Sequence, residues 1–364
     1  MLDPQNANRT ASESVAGRTV SLPPKPNKVA KPAIGTKANS AAKKGKQAAT
    51  VQATANLPKK FKVISLFSGC GGMDLGFTGG FSFLGKKYAK TPFEIVWAND
   101  FNQAACRTYA RNIGKHIHHG DVWTLMDDMP KKADIVIGGF PCQDISVNGK
   151  GAGVDGKRSG LYRAMVEVVS RTKPKIFIAE NVKGLLMKHN ADSLKRVLKD
   201  FRALGYEVSF ALYHAADYGV PQSRERVIIV GTQPGVRKFT PPKPTHPVAA
   251  HVNARAAIGD LTDMPEDENF NHVWSRANVS GEQGNRRMIA DRPGYTIRAE
   301  CHGNIQFHYE LPRRISMREA ARFQSFPDNF TFDSKLRETE RQVGNAVPPL
   351  LAWHIAKAVK ACLA

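Results

Sequence analysis

The chain has 364 residues, enough for one large core or two modest ones, and its 41% apolar content suits a globular protein. No apolar run approaches the roughly 18 residues of a membrane span, and the N-terminus lacks the compact apolar core of a secretory signal, so the expectation is a soluble intracellular protein with no membrane partner. A net charge of +21 points to a polyanionic partner, and nucleic acid is the commonest one because neutralised phosphates release counterions.

Part of that charge lies in a tail. Residues 1–60 hold 11 Lys/Arg against 2 acidic residues, and the remainder is still basic. Residues 1–59 are rich in Ala, Lys, Pro, Ser and Thr, too polar to offset the entropy of ordering, and are expected to be a disordered basic tail. Lys43-Lys44-Gly45-Lys46 either adds non-specific DNA affinity or is simply solvated.

From Phe61 the texture changes. Short apolar runs recur at Val63–Phe67, Phe93–Ala98, Ala133–Ile137, Ile176–Ala179 and Val227–Val230, with helix-like stretches at Asn102–Asn112, Leu161–Thr172 and Asp192–Leu204 between several of them. Strands alternating with helices, and too continuously apolar for one wet face, predict an α/β fold with a parallel sheet covered on both sides. The alternation stops near Thr232, where Pro241-Pro242-Lys243-Pro244 leads into a smaller, irregular, Pro/Asn/His/Arg-rich region. Helical character returns at Ser316–Phe323, and a last helix is expected from about Pro349 to the C-terminus. The expected division is 60–235, 236–312 and 313–364.

The first strand ends in the turn Ser68-Gly69-Cys70-Gly71-Gly72. Glycines let a backbone approach a ligand closely, and the carboxyl ends of parallel strands are where ligands bind. Position 74 is Asp rather than the third Gly of a dinucleotide fingerprint, and no Gly-Lys-Ser/Thr follows. A pyrophosphate cradle is therefore disfavoured, and a nucleoside without phosphates fits better. Asn99-Asp100-Phe101 ends the second run: an acid there can accept from both ribose hydroxyls, and the aromatic can stack on adenine. Asp121, in Gly120-Asp121-Val122, can accept from an adenine amino group. Each acid taken alone is more often a helix cap, and it is three such strand ends in order that point to an adenosyl cofactor.

The five cysteines (Cys70, Cys106, Cys142, Cys301, Cys362) are odd in number, with no metal-finger spacing, so neither a disulfide framework nor a metal site is expected. Each is a small core residue or a reactive thiol. Cys142 stands out in Gly138-Gly139-Phe140-Pro141-Cys142-Gln143-Asp144, directly after a strand at the ligand edge. A thiolate adding to C6 of cytosine makes C5 able to attack a methyl sulfonium, which divides one hard step into easier ones. An acid near N3 is also needed. Glu180, in Ile176–Val182, is either that acid or a structural cap. Gln222-x-Arg224-x-Arg226 leads into another strand, where residues two apart share a face; the guanidiniums either hold a base or phosphate or form a solvated basic edge.

With these segments in order, the chain resembles the DNA (cytosine-5) methyltransferase family. The resemblance rests on Phe67-Ser68-Gly69-x-Gly71-Gly72, Pro141-Cys142-Gln143, Glu180-Asn181-Val182, Gln222-x-Arg224-x-Arg226, Arg313-Arg314-Ile315-Ser316 through Gln324-Ser325-Phe326-Pro327, and Gly344-Asn345-Ala346-Val347-Pro348. It covers roughly residues 61–360 and implies a doubly wound, mostly parallel Rossmann-like sheet with a smaller target-recognition domain. By resemblance, Cys142 is the nucleophile, Glu180 the N3 partner, and Arg224 and Arg226 orient a flipped cytosine. Phe67, Gly69, Gly71, Gly72, Asp100, Phe101, Asp121, Val122 and Asn345 would surround S-adenosyl-L-methionine. Pro141, Gln143, Asn181, Gln222 and Thr296, the last within a Thr-Ile dipeptide, would lie at the substrate. The expected partner is double-stranded DNA, with a cognate restriction endonuclease sharing the target, and the enzyme is expected to be monomeric, cytoplasmic and nucleoid-associated.

Base flipping follows physically, because C5 and C6 cannot be attacked while stacked; a glycine-containing loop at 148–158 is a candidate lid. Three other readings stand beside this one: a tRNA cytosine-5 methyltransferase, a DNA-binding regulator without turnover, and a thiol protease, for which no histidine is singled out.

Overall fold

A computed structural model of the protein describes residues 60–140, 160–277, 286–299 and 305–364. The basic tail, Pro141, Cys142, Gln143, the 148–158 segment and Cys301 lie outside the described residues.

The chain opens with β1 (Phe61–Leu66) and α1 (Gly72–Thr78), then a small antiparallel hairpin of β2 (Phe81–Phe83) and β3 (Lys86–Tyr88). β4 (Phe93–Asp100), α2 (Gln103–Asn112), β5 (Ile117–His119), β6 (Ile135–Gly139), α3 (Leu161–Thr172), β7 (Ile176–Val182), α4 (Ala191–Ala203), β8 (Glu207–His214) and β9 (Glu225–Thr232) complete the alternating part. After them come α5 (Ala254–Ile258), α6 (Met317–Phe323), α7 (Leu336–Asn345) and α8 (Pro349–Leu363).

Seven strands form one sheet in the order β5-β4-β1-β6-β7-β9-β8. The first five are parallel, whereas β9 runs antiparallel to both β7 and β8. The apolar runs need two covered faces because successive side chains point to opposite sides. In β7, Ile176 and Ile178 enter the core beneath α1 and α8, while Phe177 and Ala179 enter the one beneath α3 and α4. β6 and β9 divide their residues the same way. This is the expected α/β architecture.

The sequence reading did not anticipate β8 or the β2–β3 hairpin. β8 is an edge strand with seven of its eight residues exposed or intermediate, and Glu207, Ser209 and Ala211 interrupt the apolar run that marks a buried strand. A third core joins Ala254, Ile258 and Ile297 to Ile315, Phe323, Phe326 and Val343, so the irregular region and the C-terminal segment share one apolar interior. α8 lies against α1 so closely that a Cβ on Gly76 would stand 2.3 Å from the Pro349 carbonyl oxygen.

Candidate active site

The Gly-rich turn is held at the carboxyl ends of β1 and β4. Phe67 and Gly69 both take left-handed backbone conformations (φ 55° each), a strained choice for Phe67 that reverses the chain immediately after β1. The Ser68 amide donates to the Asn99 carbonyl at 2.9 Å, and the Gly69 amide donates to Asp100 Oδ2 at 2.7 Å. Asp100 Oδ1 accepts from the Asn102 amide at 2.8 Å. Burial raises the Asp100 carboxyl above its ordinary range despite these amides.

Nothing lies within 4 Å of a Cβ built on Gly69, so the turn leaves open space on its outer side, and the neighbouring Phe101 ring is 78% exposed. Gly71 and Gly72 pack inward instead: a Cβ on Gly71 would strike Ile113, and one on Gly72 would stand 2.5 Å from the Val347 carbonyl oxygen. That second contact brings the Asn345–Val347 bend beside the turn, with Asn345 itself exposed.

Asn99 amide hydrogens bridge to the His118 and Gly120 carbonyls, drawing the end of β5 alongside β4. Asp121 follows it, exposed, with Oδ1 accepting from the Trp123 amide at 3.0 Å, and Val122 is buried beneath. Asp121 thus caps a turn and also stands at the ligand edge.

Asp74 was noted in the sequence only as a departure from a fingerprint, yet it supports the turn from below. It is fully buried, accepts from Ser65 Oγ at 3.0 Å and Tyr109 Oη at 2.9 Å, and burial raises its pKa to about 6. The signal that could have found it is position alone, an acid inside an otherwise apolar helix start.

The second cluster gathers where β6, β7 and β9 meet. Because β9 is antiparallel, its first residues lie beside the carboxyl end of β7, and Arg226 pairs with Val182 in register. Arg226 Nε sits 2.8 Å from Glu180 Oε1. Burial raises the Glu180 carboxyl above its usual range, and the Arg226 and Arg224 charges only partly oppose this. Gly139 faces Glu180 across the β6–β7 pairing, and a Cβ there would stand 2.8 Å from Glu180 Oε2. Asn181 Nδ2 donates to the Phe140 carbonyl at 2.9 Å, which fixes the last described residue before Pro141 one step from Glu180.

Although β9 begins only at Glu225, Gln222, Arg224 and Arg226 are buried while Ser223 and Glu225 between them are not, so the three do share an inward face. They do not form a solvated edge, because all three are buried. Gln222 donates to the Phe323 carbonyl and accepts from the Ile297 amide. Arg224 donates to the carbonyls of Ile297, Gly344 and Ala346 at 2.7–3.0 Å. Arg226 is ion-paired with Glu180, while Arg224 ties the start of β9 to the Thr296-Ile297 segment and the end of α7. Thr296 Oγ1 donates to the Ser223 carbonyl at 2.5 Å, so it faces the same crossing.

The Arg313–Pro327 stretch is scaffold in the same sense. Ser316 and Glu319 form a reciprocal capping box on α6, Arg313 forks onto Glu319, and Arg318 donates to the Phe270, Pro327 and Phe330 carbonyls. Cys70, Cys106 and Cys362 are buried free thiols, all pushed upward by burial, with Cys106 at about 12, and are core residues.

A Gly turn, an exposed aromatic and a buried acid–guanidinium pair stand together at the carboxyl edge of a doubly wound sheet, the edge at which α/β enzymes bind their ligands. A family model described as C-5 cytosine-specific DNA methylase matches residues 61–282 and 271–361. Type II methyltransferase M.NgoFVII of Neisseria gonorrhoeae is 37% identical over 86% of this chain and 89% of its own length. Type II methyltransferase M.NgoPII of the same organism is 33% identical over 83% and 96%. Among solved structures, the Dnmt2 methyltransferase of S. pombe superposes with a TM-score of 0.63 at 20% identity, over 83% of this chain and 99% of that one.

The chain belongs to the C-5 cytosine-specific DNA methylase family. It is a DNA cytosine-5 methyltransferase, and the tRNA and non-catalytic readings are not favoured. Catalysis in this family depends in general on S-adenosylmethionine. No helix among the described residues is long and apolar enough to cross a membrane.

Proposed function

We propose that Cys142 attacks C6 of a cytosine swung out of duplex DNA, with Glu180 sharing its proton with N3. The observation that carries this reading is the Glu180 environment: a buried carboxyl with a raised pKa, one oxygen on Arg226 and the other facing Gly139, three residues before Cys142. A carboxyl that holds its proton more tightly than usual suits protonating a ring nitrogen as the thiolate adds. Arg226 keeps that carboxyl in place, Asn181 anchors the chain entering Pro141-Cys142-Gln143 through the Phe140 carbonyl, and Arg224 and Gln222 hold the recognition side to the sheet.

The donor site fits S-adenosyl-L-methionine. The open face of Gly69 admits a close ligand, Phe101 offers an exposed ring, and Asp100 and Asp121 place carboxylates at adjacent strand ends. Phe67 and Asn345 would complete its surroundings, with Gly71, Gly72 and Val122 packed behind the turn to support it. Bound there, the cofactor would supply an electrophilic methyl group; the chain's own residues would hold it, with Glu180 assigned to the cytosine. Residues 60–235 and 313–364 would form the catalytic part and 236–312, with Thr296 at its hinge, the part that reads DNA.

The Type II names of its relatives support modification of DNA within a restriction system, which we read as methylation of one short sequence that protects it from a cognate endonuclease; we further read the enzyme as a monomer working in the cytoplasm. The test is a duplex carrying 5-fluorocytosine at the site mapped by bisulfite sequencing, incubated with the methyl donor. Mass spectrometry should find a stable adduct on Cys142 and none on the Cys142→Ala variant. A wild-type enzyme that methylates ordinary DNA yet traps no adduct would overturn the mechanism.

A further inference from the structure

Away from the catalytic edge, three potential metal ligands from distant parts of the chain converge. His214 ends β8, Asp217 lies in the following turn, and His251 arrives from beyond the proline-rich linker. His251 Nε2 is 2.8 Å from Asp217 Oδ1, His214 Nδ1 is 3.3 Å from the same oxygen, and one donor atom from each residue lies within 4.8 Å of the others. We propose that His214, Asp217 and His251 form a divalent transition-metal site, with zinc as its natural test ion.

Three features favour an ion over a plain hydrogen-bonded cluster. Bonds of about 2.0–2.2 Å from zinc to nitrogen or oxygen place neighbouring ligands of a tetrahedron roughly 3.3 Å apart, which is the His214–Asp217 spacing, long for a charge-assisted hydrogen bond. The free nitrogen of His214, Nε2, lies 3.2 Å from Ser223 Oγ, the outer partner that a ligating imidazole needs to fix its tautomer. His214 and Asp217 keep 30% side-chain exposure, leaving a path for the ion and access for a fourth ligand from solvent.

The site also has something to hold. The Asp217 carbonyl accepts the Thr245 and His246 amides, so 245–251 is a strap laid over the 215–218 turn. Ser223 precedes Arg224 and accepts Thr296 Oγ1 at its carbonyl. An ion here clamps the entry to the recognition segment onto the edge of the catalytic sheet. No metal site was expected from the sequence, and Asp217 and His251, 34 residues apart, have no motif spacing that would have signalled one.

The test uses the full chain, stripped with a chelator and titrated with Zn²⁺ by calorimetry and with Co²⁺ by visible absorption. Wild type should bind one equivalent, show tetrahedral cobalt bands, and melt at higher temperature with saturating Zn²⁺. His251→Ala and Asp217→Asn should weaken binding about a hundredfold, lose the bands and lose the thermal shift. If His251→Ala fails to fold in chelator, His214→Gln replaces it. Wild-type protein that takes up no ion at micromolar concentration overturns the proposal, and so do variants that bind as wild type does.

Discussion

The two ends of the ligand edge hold their acids in different ways. At the β1–β4 end, Asp100 is fixed by backbone amides of Gly69 and Asn102, residues of the same short strand–turn–helix units. At the β7–β9 end, Glu180 is fixed by the guanidinium of Arg226, which reaches it only because a later strand enters the sheet antiparallel. Backbone amides persist through most substitutions, so the first end tolerates side-chain change and resists backbone change. The second depends on individual side chains arriving from far along the sequence.

This contrast can be sharpened by substitution, and the largest effect should fall at the second end. Glu180→Gln keeps the shape and an acceptor for Arg226 but removes the titrating proton. Single-turnover methyl incorporation should fall by about 10²–10⁴ with the thermal midpoint little changed, and a rate unchanged across pH would deny the carboxyl its role. Next is Arg224→Ala, which strips donors from the Ile297, Gly344 and Ala346 carbonyls. Urea unfolding should show a loss of roughly 3 kcal/mol or more. A loss below half of that would mean the crossing is held by apolar contact alone.

The first end should yield to backbone crowding. Gly76→Ala would put a methyl 2.4 Å from Ala352 Cβ as well as against the Pro349 carbonyl, prising α1 from α8 beneath the Gly turn. The expected cost is about 1–3 kcal/mol by thermal melting, with weakened binding of the methyl donor in the same variant.

The smallest effect concerns pH. Asp74 has a folded pKa raised from 3.8 to about 6, so its contribution to stability is full below the unfolded value and is lost as pH rises through about 6. Asp74→Asn should therefore flatten the fall in stability between pH 4 and pH 7, measured as urea midpoints across that range. A variant whose midpoints follow wild type would assign the slope to another group.

Much of the first end was legible in the sequence because its information is local. The apolar runs at 63–67 and 93–98, the glycines after the first, and the helix-like stretch from Asn102 to Asn112 each act within a few residues. Order along the chain then placed Gly69, Asp100 and Asp121 at neighbouring strand ends, since parallel βα units put them there. β8 escaped notice because an edge strand with one wet face lacks the continuous apolar run, and Asp74 because a buried acid leaves no periodic trace.

The residues themselves therefore determined the α/β class, the ligand edge and the family, all of which follow from short-range periodicity and motif order. Tertiary structure alone decided that Arg226 pairs with Glu180 while Arg224 and Gln222 bind the carbonyls and amides of the crossing segment, because which neighbour a strand chooses, and in which direction, depends on contacts across tens to a hundred residues. The meeting of His214 and Asp217 with His251 has the same origin: it arises where the chain folds back on itself, and spacing along the sequence carries no record of it.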